Sequence, residues 1–162
     1  MAKKYYFITS IRREKNTYPE GTKNYKDVDV SGKEYYTTDT RCWGFYTSKK
    51  KAFTAVKENW TDMNECGYYP WIVIEEMEEG LIAYDREEFW FQEAFDTDMA
   101  KEFIKGKTEQ ELKDLEVKCY TNGRFQWVEK TPDVKVLHDN FIGYKEIEKP
   151  EWAEHLCGWG IG

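Results

Sequence analysis

A chain of 162 residues, 17% aromatic and 34% charged, is the size of one domain and has enough bulky side chains to form a core without disulfide staples. Its net charge of −7 weighs against non-specific nucleic-acid binding, which needs a broad excess of cations. No stretch approaches the ~18 apolar residues of a membrane helix, and the apolar run after Lys4 is cut short at Thr9, Ser10, Arg12 and Arg13, so neither a membrane span nor a signal peptide is expected and the chain is assigned to the cytoplasm.

In chain order, YYFITSI (5–11) reads as a first strand. Residues 13–37 turn polar, with Pro19, Gly21 and Gly32 among charges, and are expected to form a long loop or loosely held hairpin. RCWGFYT from Arg41 reads as a second strand. Ser48 then caps a helix over 48–63, whose buried face is predicted to carry Phe53, Val56, Trp60 and Met63. The three lysines 49–51 crowd positive charge at its N-terminal end.

Gly67 closes that region, and WIVIEEM makes a strong strand with Pro70 at its start. A turn at Glu78–Gly80 leads to two short extended segments, LIAYD and EEFWFQEAF. Residues 96–115 change to helix-forming character, and Thr108 with Glu111 has the form of a capping box, which predicts a second short helix at about 108–115. Asn122-Gly123 between aromatic alternations predicts a hairpin, and VKVL and GYKEIEK predict further strands. Many short strands, one strong helix and no regular βαβ alternation give an α+β class, a mainly antiparallel sheet packed on one principal helix within a single domain over 1–162.

Motifs for catalysis are absent: no phosphate-binding glycine loop, nucleophile elbow or zinc-protease helix occurs. Cys42, Cys66, Cys119 and Cys157 are too irregularly spaced for a metal site with His138 and His155, so free thiols, no metal and no cofactor are expected. Charge is uneven along the chain. The first 60 residues carry 13 Lys/Arg against 7 Asp/Glu, and the remainder 11 against 24. A basic half with interleaved aromatics suits capture of a small anion, since guanidinium forks grip phosphate and aromatic rings stack on bases. The candidate ligand-binding residues are Arg12, Arg41, Trp43, Asn59, Tyr69 and Trp90. In the acidic half, residues 75–98 hold ten carboxylates against Arg86 alone, which suits a face that mimics nucleic-acid phosphates, and Glu75 is the carboxylate an enzyme would use.

Three blocks, YYFITSIR (5–12), RCWGFYTSKKKAFTAVKENWTDMNECGYYPWIVIEEMEEGL (41–81) and YKEIEKPE (144–151) with a terminal GWGIG (158–162), resemble a group of short uncharacterised proteins of Firmicutes and their phages. The likeness covers about half the chain and leaves residues 14–38 and about 96–140 as insertions. It implies a phage setting, in which small non-enzymatic proteins counter host defence by sequestering nucleotide immune signals. The leading expectation is therefore a non-catalytic binder of a small nucleotide-like ligand. The alternatives are an acidic inhibitor of a nucleic-acid-binding host defence protein and a carboxylate enzyme that degrades the same signal. Homo-oligomerisation is left open.

Overall fold

The first strand alternates so that Tyr6, Ile8 and Ser10 fall on one side of the chain and Phe7, Thr9 and Ile11 on the other. All of these except Phe7 are buried, which requires cover on both faces of the sheet that this strand enters. The computed structural model describes residues 2–65, 67–80, 86–111, 113–114, 127–131, 134–137 and 141–154. Its main body is a five-stranded antiparallel sheet of β1 (Lys4–Thr17), β2 (Glu34–Tyr46), β3 (Trp71–Glu78), β4 (Glu87–Phe95) and β7 (Phe141–Ile147), in the order β2-β1-β3-β4-β7. A separate two-stranded ladder pairs β5 (Trp127–Thr131) with β6 (Val134–Leu137).

Helix α1 (Lys49–Lys57) packs on one face of the sheet. Ala52, Ala55 and Val56 meet Tyr6, Ile8, Ile72, Ile74, Phe91 and Tyr144, with Phe53 at the edge of the cluster. Burial of each large apolar side chain contributes about 1.5–3 kcal/mol, which is how a helix of nine residues, too short to be stable alone, is held in place. The small alanines let the helix backbone approach closely. At Gly143, with φ +105°, a Cβ would stand 1.9 Å from the Lys57 carbonyl oxygen, so only glycine lets β7 pass under the end of α1. On the opposite face Ile11, Val73 and Trp90 form a second cluster with Trp71, Ile147, Trp152 and Ala153, the last two in a single 3₁₀ turn, Glu151–Ala153.

The α+β class, the antiparallel sheet and the principal helix agree with the sequence reading, and so do the Ser48 cap, which accepts from the Lys51 amide, and the capping box. The Thr108 amide donates to Glu111 at 2.7 Å and the Glu111 amide donates back to Thr108 Oγ1 at 3.2 Å, and helical residues 109–111 and 113–114 follow. Three details differ. The polar segment 13–37 is a hairpin and not one long loop, because β1 runs to Thr17 and β2 starts at Glu34, which leaves the connecting loop over 18–33. Helix α1 stops at Lys57, since Asn59 adopts a left-handed conformation with φ 51° and a 3₁₀ turn, Trp60–Asp62, follows. An additional helix, α2 (Thr97–Ile104), precedes the capping box, with Asp96 accepting from the Met99 amide at its start. The Asn122-Gly123 hairpin and the LIAYD segment lie outside the described residues.

Candidate functional site

Between α1 and β3 the chain folds into a tight turn whose backbone is unusual. Of the five non-glycine residues with positive φ among those described, four fall here: Asn59, Thr61, Asp62 and Glu65, followed by Gly67 at φ 87°. Thr61 at φ 60° is the most telling, because a β-branched residue resists that region and each such residue costs about 1–3 kcal/mol. Side-chain hydrogen bonds hold the turn in place. Asn64, fully buried, donates from Nδ2 to the Tyr69 carbonyl at 3.2 Å, to Glu93 at 3.3 Å and to the Tyr144 hydroxyl at 3.1 Å. Its Oδ1 accepts from the Gly67 amide at 2.6 Å, and Tyr144 itself donates to the Tyr69 carbonyl at 2.6 Å. Burial holds the Tyr144 phenol far above its ordinary pKa of 10.0.

This turn meets the paired strands β1 and β2 on the α1 side of the sheet. A bulge between Ile8 and Thr9 inserts Trp43 as an extra residue of β2, and the strand beyond it runs on through Arg41 and Asp39 on the same face. The Trp43 indole donates to Ser10 Oγ at 2.6 Å, and Ser10, fully buried, donates to the Met63 carbonyl at 3.1 Å. Arg41 lies over the Trp43 ring at 4.1 Å and forms an ion pair with Glu65. One strand pair further out, Arg12 lies over the Tyr68 ring at 4.3 Å and reaches Glu14 at 3.3 Å, while the Tyr68 hydroxyl donates to Asp39 at 2.9 Å. That bond to Asp39 raises the Tyr68 pKa.

Beside Trp43 the turn leaves a pocket of about 250 Å³. Trp43, Tyr46 and Trp60 form its walls, Ile8, Ala55 and Met63 its floor, and the left-handed Thr61 part of its rim. Trp60 is 40% exposed and its indole donates to Glu58 at 2.7 Å. The expectation that Trp60 packs with Phe53 inside the core is therefore corrected: the helix ends before it, and the reversal at Asn59 swings the ring to the pocket edge.

Of the sequence-derived candidates, Arg12, Arg41, Trp43 and Tyr69 gather at this corner. Tyr69 is buried and supports the site from beneath through its edge-on contact with Tyr68 at 4.8 Å. Asn59 is close by with a structural task, since its Oδ1 accepts from the Asn64 amide and its Nδ2 donates to Asp62. Trp90 is not brought here. It is 2% exposed on the other face of the sheet, with its indole donating to Glu88 at 3.0 Å and its ring edge-on to Trp152. Lys49, at the opposite end of α1, sits 3.8 Å over the Phe89 ring, away from the Trp60 end. The residues that sequence reasoning missed are Tyr46, Trp60 and Thr61. Asn59, a residue tolerant of left-handed backbone directly after a helical run, was the available signal that Trp60 leaves the helix face.

Among the described residues, about half of the carboxylates of the acidic stretch are buried, ion-paired or used as caps. Glu75 is fully buried and ion-paired with Arg86, Glu76 pairs with Lys4, and Glu88 pairs with Lys149 at 2.9 Å. Glu93 is buried against Asn64, and Asp96 caps α2. Glu78, Glu79, Glu87 and Asp98 are the exposed members among the described residues. Among those residues no group of His, Cys, Asp and Glu is arranged to hold a metal ion, Cys42 is a free exposed thiol, and no helix is long and apolar enough to cross a membrane. Cys66, Cys119 and Cys157 lie outside the described residues. No protein-family model, curated protein or solved structure matches the chain.

Proposed function

We propose that this protein is a non-catalytic binder that captures a small nucleotide-type ligand by inserting its planar ring into the Trp43–Tyr46–Trp60 pocket, with Arg41, stacked on Trp43, taking the anionic group. The observation that carries the reading is the pocket itself. Three aromatic walls over an apolar floor, next to a guanidinium stacked on one of those walls, match the chemistry that recognises a base and its phosphate together. At about 250 Å³ the pocket is smaller than the ~300–1,000 Å³ of clefts that swallow a whole ligand, so a ring enters and the remainder stays at the rim. The strained turn at 59–65 fits the same role, because strain of this kind collects where a binding surface must be held in one shape. In a phage setting such a protein would act as a sponge for a nucleotide defence signal.

Glu65 makes the proposal sharp. It neutralises Arg41 in the free protein, so an arriving anion must displace it. Isothermal titration with mono-, di- and cyclic nucleotides and cyclic ADP-ribose isomers is the test. Arg41→Ala should weaken binding about 10- to 150-fold, the equivalent of one charge-assisted hydrogen bond. Trp43→Ala and Trp60→Ala should each weaken it about 5- to 150-fold through lost stacking. Glu65→Gln should tighten it. If Glu65→Gln weakens binding and Arg41→Ala is silent, the ligand is not held as an anion by Arg41.

A further inference from the structure

The two outer strands of the sheet are protected very differently. Strand β7 is short, kinked by the bulge at Ala94/Phe95, and carries Lys145 with Pro150 soon after, all devices that discourage pairing with another chain. Strand β2 is 13 residues long and contains neither lysine nor proline. Its residues from Tyr36 to Cys42 are all exposed, and among the described residues no strand lies beyond it in the sheet order. A long edge of this kind displays a row of backbone groups ready for an added strand.

The side chains on β2 have a two-fold pattern centred on Thr40. In an antiparallel pair with a second copy about that centre, Thr40 faces its own equivalent, Asp39 faces the partner copy's arginine at position 41, and Thr38 faces the cysteine at position 42. Directly opposed residues lie on the same face of a sheet, and this holds here. Asp39 and Arg41 both lie on the α1 side, whereas Thr38, Thr40 and Cys42 lie on the other, as their pairing with β1 fixes. Trp43 is the extra residue of the bulge, so pairing continues past it with Tyr36 opposite Phe45 and Tyr35 opposite Tyr46. Tyr36 and Phe45 are 51% and 53% exposed in the single chain, two of the large apolar side chains left open to solvent. Phe45 already clusters with Tyr5 at 5.2 Å and Phe7 at 5.3 Å, which gives the incoming tyrosine an aromatic surface to cover.

The geometry points to a homodimer in which β2 pairs antiparallel with β2 of a second copy about Thr40, joining two five-stranded sheets into one of ten. The pattern selects a second copy over an unrelated peptide because both charges and both aromatics find their complements within the same strand. One two-fold operation forms two Asp–Arg pairs and two tyrosine–phenylalanine pairs, and the assembly closes.

Charge reversal tests this in sedimentation equilibrium. Asp39→Arg places arginine opposite arginine, and Arg41→Asp places aspartate opposite aspartate. Each should raise the dimer dissociation constant at least about 10-fold, and the double reversal should dimerise more tightly than either single variant, since the pairs across the two-fold re-form with their signs exchanged while the Arg41–Glu65 pair within each chain does not. A second route does not depend on those charges. In a Cys42→Ser background, Thr40→Cys should form an intermolecular disulfide under mild oxidation, because self-opposed residues across a two-fold bring their Cα atoms to ~4.5–5.5 Å, within disulfide range. Dimeric wild type, rescue by the double reversal and cross-linking at position 40 are the expected results. A wild-type monomer at ~100 μM, a double reversal no better than the singles, or a position-40 variant that stays reduced would each overturn it, the first of these also where a foreign peptide binds the edge instead.

Discussion

Asn64→Ala is the perturbation that reports most directly on how the turn behind the pocket is held. The residue is fully buried and its side chain serves both directions at once, accepting from the Gly67 amide and donating to Tyr69, Tyr144 and Glu93. Truncation orphans the Gly67 amide, at about 1–3 kcal/mol, and removes a donor from the Glu93 carboxylate, at about 1.5–3 kcal/mol. The Tyr69 carbonyl keeps its bond from Tyr144, so it adds little. Together these amount to a loss of about 2.5–6 kcal/mol, a large share of the ~5–15 kcal/mol that holds an ordinary domain. Urea unfolding followed by tryptophan fluorescence, with a slope near ~2 kcal/mol/M, should show the midpoint fall by about 1.2–3 M. Asn64→Asp keeps the acceptor for Gly67 but sets a second carboxylate beside Glu93, and should do no better than alanine. A midpoint within about 0.5 M of wild type for the alanine variant would mean that the turn is held by something other than Asn64.

Three further outcomes follow from the packing. Gly143→Ala should cost about 2–4 kcal/mol, from positive φ and collision with the Lys57 carbonyl, whereas Gly44→Ala, also at positive φ but in open space, should cost about 1–2 kcal/mol; equal melting temperatures for the two variants would contradict the close approach of β7 to α1. Thr9 is fully buried with a hydroxyl that has no hydrogen-bond partner among the described residues, so Thr9→Val, of the same shape, should stabilise the fold by about 1 kcal/mol, and a clear loss in thermal unfolding would reveal a partner. The Tyr144 phenol is neutral in the fold and its pKa is raised above the unfolded value of 10.0, so its contribution is complete below that value and is lost as pH rises through and beyond it. Stability measured from about pH 9 to 11 should therefore fall more steeply in wild type than in Tyr144→Phe, and identical slopes would refute the burial argument.

The sheet and α1 were legible because alternation and helical spacing are written over many residues: Tyr6, Ile8 and Ile72, Ile74 repeat the pattern that the sheet uses, and Ser48 announces the helix. The length of β1 and β2 was not. Residues 12–17 and 34–39 pair only with each other beyond Ile11, the last β1 residue that β3 reaches, so they have little core to face and no apolar alternation to betray them. The site was half legible. Arginine next to tryptophan at 41–43 reads directly as a recognition pair, and the structure stacks them. Trp90 misleads, because an aromatic among carboxylates looks exposed until the strand order shows it facing Val73 and Ile147 beneath Trp152. Trp60 misleads in the opposite sense, since helical spacing from Phe53 is kept in the sequence after the helix has ended.

The central claim is that Trp43 and Trp60 receive a ligand's planar ring, and their indole N–H groups are built-in reporters, each with one defined acceptor, Ser10 Oγ and Glu58. Titrating nucleotides and cyclic ADP-ribose isomers into ¹⁵N-labelled protein and following the indole N–H signals tests it most directly. A bound ring should shift the Trp43 and Trp60 signals together and saturably while the Trp90 signal, on the other face of the sheet, stays in place. Binding that moves Trp90 and leaves Trp43 and Trp60 unchanged would place the ligand elsewhere and contradict the account.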